Sequence, residues 1–153
     1  MSEQAAAPTL PHTWRPFGPR MASAVFGVVL VGAFAWLWVN FDDGTRESVN
    51  PIQKGTVIAL IGLGLFLLNG LARSRVRASD TGLIVVNGYR KRVLPWAEVG
   101  VLRMPRGAPW PHLEIGDGER VSLMGVHTSD GQRAATAVRE LRAVIAEHSD
   151  TVS

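Results

Sequence analysis

Four histidines, His12, His112, His127 and His148, are the residues best suited to hold a metal or shuttle a proton, and their spacing serves neither task. A zinc site draws on recurrent short spacings, such as two histidines one helical turn apart, and no pair here is so placed. The chain has no cysteine, so disulfides, thiolate chemistry and cysteine-type zinc sites are excluded. His127, Ser129 and Asp130 lie almost adjacent, whereas a catalytic triad assembles from separated positions around an oxyanion hole. Ser129, followed three residues later by Gln132, reads instead as a capping box for the helix that follows. Gly62 and Gly64 sit inside an apolar run and lack the strand-turn-helix context of a nucleotide fingerprint. Asp42 and Asp43 read as a solvated loop pair. The expectation is no catalytic residue, no metal ligand, no cofactor and no enzyme.

The chemistry that remains is charge recognition. Residues 73–107 carry eight basic and two acidic side chains, a net +6, whereas residues 108–153 carry four and seven, a net −3. A pI near 10.2 invites a nucleic-acid reading, but no zinc finger, homeodomain or other reader motif is present, so no nucleic-acid partner is expected. Alternate strand residues share a face, which pairs Arg75 with Arg77 and Arg90 with Arg92 and sets Lys91 opposite. With Arg73, Arg103 and Arg106 they form a candidate surface for anionic phospholipid. Trp110, held between Pro109 and Pro111, could insert beside them as an interfacial aromatic. The competing reading is that these charges solvate a sheet face and enforce topology.

Two uncharged apolar runs, 21–41 and 55–72, must position that surface. Crossing a hydrocarbon core about 30 Å thick takes roughly 20 helical residues. The second run is slightly short, but Lys54 and Arg73 bracket it and can extend their charges to the headgroups. A cleaved signal is not expected, because the first run is longer than a signal's apolar region and ends in Trp38, Val39, Asn40 and Phe41. The reading is two transmembrane helices, 21–41 and 55–72, joined by an extracytoplasmic loop with the start of the second helix, 42–54. Arg15 and Arg20 before the first span, and Arg73, Arg75 and Arg77 after the second, put both termini in the cytoplasm of a multi-pass cell-membrane protein. Residues 1–20, with Pro8, Pro11, Pro16 and Pro19, read as a disordered cytoplasmic tail. Asn50 and Pro51 supply an N-cap and first-turn proline, so the second helix is expected from Pro51. Asn69 lies at about the depth of Ser23, and a contact between the two is expected to close the hairpin.

From Ser74 the pattern changes to short alternating runs closed by turns. Residues 75–78 alternate, 79–82 turn, 83–86 form a β run, and Asn87-Gly88 makes a two-residue hairpin. Runs follow at 89–94, 99–104, 112–115 and 120–124, the last two joined by Gly116-Asp117-Gly118. Six sequential strands imply an antiparallel meander. Ala134, Ala135, Val138, Leu141, Val144 and Ile145 recur at helical spacing and give a closing amphipathic helix. The domain is expected over 73–148, with a tail at 149–153.

The order Asp80-Thr81-Gly82-Leu83, Asn87-Gly88-Tyr89-Arg90-Lys91-Arg92-Val93, Leu94-Pro95-Trp96-Ala97-Glu98-Val99 and a final helix resembles the bacterial pleckstrin-homology (PH) domain family. It is similar in particular to the actinobacterial group named after low molecular weight protein antigen 6, whose members often place two spans before the domain. The resemblance implies a membrane α-helical hairpin plus an α+β domain, the latter a PH-like antiparallel β barrel or split barrel with a C-terminal helix. PH folds normally have seven strands, one more than the six read here. The resemblance also implies no established catalysis. The short acidic turn at Ser79, Asp80, Thr81 and Gly82 departs from phosphoinositide-binding members, which carry basic residues around a long first loop.

Three roles follow from this organisation. The first is a protein-interaction or self-assembly module held at the inner surface, with a protein partner or a second copy. The second is binding of anionic phospholipid, and the third is an accessory subunit of a transport or secretion complex. Because the spans already tether the domain, recruitment by lipid affinity is unnecessary, which favours the first.

Overall fold

The computed structural model describes residues 6–116 and 118–152. Two long helices, α1 (Phe17–Asn40) and α3 (Pro51–Arg73), pack as an antiparallel hairpin across a short α2 (Asp43–Ser48). Both are long and apolar enough to cross a membrane. Phe26, Val28, Trp36, Ile58, Leu60 and Leu67 are each more than 60% exposed, a surface suited to lipid and costly in water. The turn is built by capping. Asp42 accepts a hydrogen bond from the Thr45 amide, while Asn50 and Gln53 form a reciprocal capping box before Pro51. Arg46 donates to the carbonyls of Trp38 and Val39 at 3.1 and 2.5 Å, so this loop cation satisfies the C-terminal end of α1.

The remaining strands are β2 (Arg75–Ser79), β3 (Gly82–Asn87), β4 (Arg90–Pro95), β5 (Val99–Arg103), β6 (His112–Ile115) and β7 (Glu119–Ser122). They fall on the six runs read from the sequence, though β5 and β7 end at Arg103 and Ser122, short of the expected 104 and 124. Gly88 adopts φ +61°, the left-handed conformation that the β3–β4 hairpin requires. The six do not form one meander. A 3-10 turn at Trp96–Glu98 separates a sheet containing β2, β3 and β4 from a three-stranded β5-β6-β7 sheet. Asp117 of the expected Gly116-Asp117-Gly118 turn lies outside the described residues.

The seventh strand comes from the other side of the hairpin. Residues His12–Trp14 form β1 and pair antiparallel with β2, His12 opposite Ala78 and Trp14 opposite Val76. The helical hairpin is thus inserted between the first and second strands of a split-barrel domain. Residues 12–20 are therefore not the disordered tail expected, and α1 starts at Phe17; residues 1–5 of that expected tail lie outside the described residues. The cause is Trp14, only 6% exposed among the core residues. Its indole N–H donates to Glu140 Oε2 at 2.8 Å. One buried aromatic with a satisfied polar tip can hold a strand too short to show a period.

The closing helix, α4 (Gln132–Val152), lays Ala134, Ala137, Val138, Leu141, Val144 and Ile145 on a core that includes Val76, Leu83, Val85, Leu94, Leu113 and Leu123. Its backbone continues past the expected end at residue 148, and Ser153 lies outside the described residues. The expected Ser129 capping box is not formed. Ser129 lies in a 3-10 turn (Thr128–Asp130), hydrogen-bonded to His127, and Gly131 precedes the helix.

Candidate functional site

Strand parity and register decide where the basic residues stand. On β2, exposed Arg75 and Arg77 alternate with buried Val76 and Ala78. Arg75 pairs across to Val86 and Val86 to Lys91, while Arg77 pairs to Ile84 and Ile84 to Val93. Directly opposed residues share a face, so Arg75, Arg77 and Lys91 flank Ile84, Val86 and Val93 on the outer face. Arg90 and Arg92 fall on the opposite parity, as their spacing requires.

The nine expected lipid-binding residues are not gathered in one cluster. Arg92 forms a bidentate pair with Glu119 of β7, at 2.5 and 2.7 Å, tying the two sheets together. Arg103 pairs with Glu114 at 2.8 Å. Arg73 lies over the Tyr89 ring at 5.4 Å. Trp110 is half-buried beside His127, ring centres 6.0 Å apart. Arg106 is exposed in the loop before β6. Sequence spacing paired Arg75 with Arg77 and Arg90 with Arg92 and set Lys91 opposite the latter, but the cross-strand register that joins Lys91 to Arg75 and Arg77, and the carboxylate partners, come from strands remote in sequence.

The Arg92 hydrogen bond holds the Glu119 carboxyl below its ordinary range. A carboxylate with a lowered folded pKa contributes stability at neutral pH that is lost as pH falls through that lowered value. Glu119→Gln is therefore expected to be less heat-stable than the parent at pH 7, with the difference closing in acid below pH 4.5. Thermal unfolding of both proteins across that range checks it; a pH-independent difference would contradict the pairing.

A second set of contacts joins the domain to both helices. Asp130 accepts from the Phe17 amide through Oδ2 at 2.7 Å and from the Gly18 amide through Oδ1 at 2.6 Å. It thereby caps α1, whose own N-cap, Pro16, offers no side-chain acceptor. A Cβ on Gly18 would lie 2.8 Å from Asp130 Oδ1 and 2.9 Å from Ser129 Oγ, so a side chain there would displace the capping carboxylate. Arg133 lies over the Phe17 ring at 4.6 Å. Although His127 Nδ1 is 2.8 Å from Ser129 Oγ, the Asp130 carboxylate serves the helix amides, which is a structural arrangement.

On α3 the latch is Tyr89, at the β3–β4 turn. Its ring stacks on Phe66 at 4.3 Å with planes 8° apart, and its hydroxyl donates to the Phe66 carbonyl at 2.8 Å. The same hydroxyl is 3.3 Å from Asn69 Oδ1. A Cβ on Gly70 would meet the Tyr89 ring at 2.8 Å, and the Gly88 amide donates to Ser74 Oγ at 3.0 Å. The expected Ser23–Asn69 contact makes no hydrogen bond, although both residues line the space between α1 and α3. Asn69 faces the tyrosine, and Ser23 Oγ is buried with no hydrogen-bond partner among the described residues. Neither latch was visible in the sequence, because each joins residues far apart; Tyr89, the only tyrosine, directly after the Asn-Gly turn, was the one available signal.

Residues 73–143 match the bacterial PH domain family. The match excludes β1, which lies on the far side of the hairpin. Over 138 residues the chain is 28% identical to uncharacterised proteins of Mycobacterium bovis and Mycobacterium tuberculosis, covering 90% of this chain and 87% of theirs. No solved structure matches significantly.

Proposed function

We propose that this PH domain, split by its two apolar helices, serves as a non-enzymatic docking module fixed at the cytoplasmic face of the cell membrane. α1 and α3 cross the bilayer, both chain ends lie inside, and the domain binds a protein partner or a second copy. The observation that carries this reading is the β1–β2 pairing. It ties the residues before the first span to those after the second, so both flanks occupy one side, in agreement with the arginines that border them. With the Asp130 and Tyr89 latches, the domain is held in one orientation and needs no affinity for lipid to reach the membrane.

The outer sheet face suits a partner at its β4 side, where Val93 stands beside half-buried Ile84, while Val86 is itself buried. Val93 is 60% exposed, and Arg77 and Lys91 border the apolar strip, an apolar centre with a charged rim of the kind found in interfaces. Two measurements test this reading on intact protein in native membranes. Single cysteines are introduced by Gly44→Cys and Arg106→Cys. The first should react with an impermeant thiol reagent in whole cells and the second only after lysis. A photo-crosslinker at position 93 should give one discrete adduct, and a tagged second copy identifies self-assembly. Labelling of Arg106→Cys in whole cells would reverse the orientation, and no adduct at position 93 would sink the docking face.

A second reading, attraction to anionic phospholipid, draws on Arg73, Arg75 and Lys91, which lie at the end of the sheet that meets α3. Near an anionic leaflet each such charge is worth about 1 kcal/mol. This attraction would reinforce the orientation.

A further inference from the structure

A groove of about 1130 Å³ runs along the hairpin between α1 and α3. Its wall is apolar from Ala24 to Val31, and its domain end carries Arg20 and Asn69. A second pocket, about 310 Å³, lies where β1 enters α1 and meets α4, and Arg15, Arg20 and Arg133 line it. Phe17 and Arg20 line both, so the two spaces adjoin. Together they form an amphiphilic site with three guanidinium groups at one end and a long apolar channel at the other.

The charges at that end are not balanced locally. Asp130 is the one carboxylate lining the second pocket, and both its oxygens are engaged by the amides of Phe17 and Gly18. Arg133 rests on the Phe17 ring, and among the described residues none of the three arginines is in an ion pair with a carboxylate. A guanidinium fork binds a phosphate bidentately and strongly where water is scarce. From Arg20 to Val31 the helix advances about 16 Å at 1.5 Å per residue, close to half of a hydrocarbon core about 30 Å thick. The apolar channel therefore has the length of one acyl chain within a single leaflet. At Gly32, which lines its deep end, an added Cβ would find nothing within 4 Å, so the channel floor is open.

We propose that this composite site binds one anionic phospholipid of the leaflet next to the domain. Arg20, with Arg15 and Arg133, holds the phosphate, and one acyl chain lies along Ala24, Val28 and Val31. A second copy seated in the same groove would bring two arginine clusters together. A free phosphate would leave the apolar channel unfilled. The phospholipid satisfies both ends. This site is distinct from the diffuse charge of the sheet face. It rests on α1 and α3 crossing the bilayer.

The test is native mass spectrometry of the intact protein, released from mild detergent containing equal dioleoyl phosphatidylglycerol and dioleoyl phosphatidylcholine. The parent should retain phosphatidylglycerol preferentially. Arg20→Gln should lower the phosphatidylglycerol-to-phosphatidylcholine ratio about fivefold, the equivalent of one lost headgroup charge. Gly32→Leu, which fills the channel, should lower retention of both lipids and leave their ratio unchanged. An unchanged ratio in Arg20→Gln overturns the proposal, as does an equal drop in Lys91→Gln, which would assign the preference to the sheet face. Unchanged lipid retention in Gly32→Leu with loss of a dimer would give the groove to a second copy and also overturn it. Release of the protein from membranes by alkaline carbonate would overturn the membrane reading itself, an outcome separable from any change in lipid ratio.

Discussion

Trp14→Ala lowers the stability of the intact protein by about 3–5 kcal/mol, the range for emptying a buried aromatic site. The size of the effect follows from where the residue sits. Trp14 is 6% exposed, packs in the same core as Val76, Leu83 and Leu141, and its indole satisfies Glu140. Removal leaves a cavity and an acceptor without its donor. It also frees β1, since His12 and Thr13, the other two residues of the strand, are only half-buried. Thermal unfolding in detergent should show the loss as a single large downward shift, with faster amide exchange along the newly exposed edge of β2. Trp14→Phe keeps part of the ring volume and loses the N–H, and is expected to fall between the parent and the alanine variant. An alanine variant as stable as the parent would mean that residues 12–14 are not part of the domain.

Asp130→Ala is expected to cost about 2 kcal/mol, at the upper end for loss of a helix N-cap, because one carboxylate serves two α1 amides through bonds of 2.7 and 2.6 Å. Charge-assisted bonds to amides are each worth about 1.5–3 kcal/mol when well shielded, and the partial exposure here reduces their sum. The positive end of the α1 dipole adds to the loss. Asp130→Asn keeps one acceptor and should recover roughly half. The distinguishing readout is local. Hydrogen exchange should rise at Phe17 and Gly18 and remain unchanged around Tyr89 and Gly70, which belong to the other latch. Equal exchange at both sites, or none, would show that Asp130 does not hold α1.

These two residues also mark the limit of what the sequence displayed. The apolar runs, the Asn50-Pro51 helix start, the β run at 83–86 and the Asn87-Gly88 turn are short-range patterns, written within a few residues of one another, and periodicity exposes them. β1 has three residues, too few for a period, and its flanking prolines carry the composition of a linker. Asp130 acts on amides more than one hundred positions away, and local reading gave that turn to the start of α4. The basic set divided for the same reason. Alternation correctly set Arg75 and Arg77 on one face, but the neutralisation of Arg92 by Glu119 depends on how two sheets meet. The Ser23–Asn69 pairing failed because depth in a hairpin is only one coordinate, and Tyr89 approaches Asn69 from outside it.

The insertion of the hairpin between β1 and β2 also gives the order of synthesis a meaning. Residues 12–14 leave the ribosome before either apolar helix, while their partner strand, Arg75–Ser79, follows both. If α1 and α3 cross the bilayer as proposed, the first strand waits, unpaired, until both helices have been threaded. A chain that threads only one would strand β1 on the opposite side from its partner, leaving Val76 and Ala78 on an open edge and α4 without Trp14. On the two-span topology, completion of the domain requires the hairpin to have been inserted whole, and the β1–β2 pairing becomes the mark of a finished insertion.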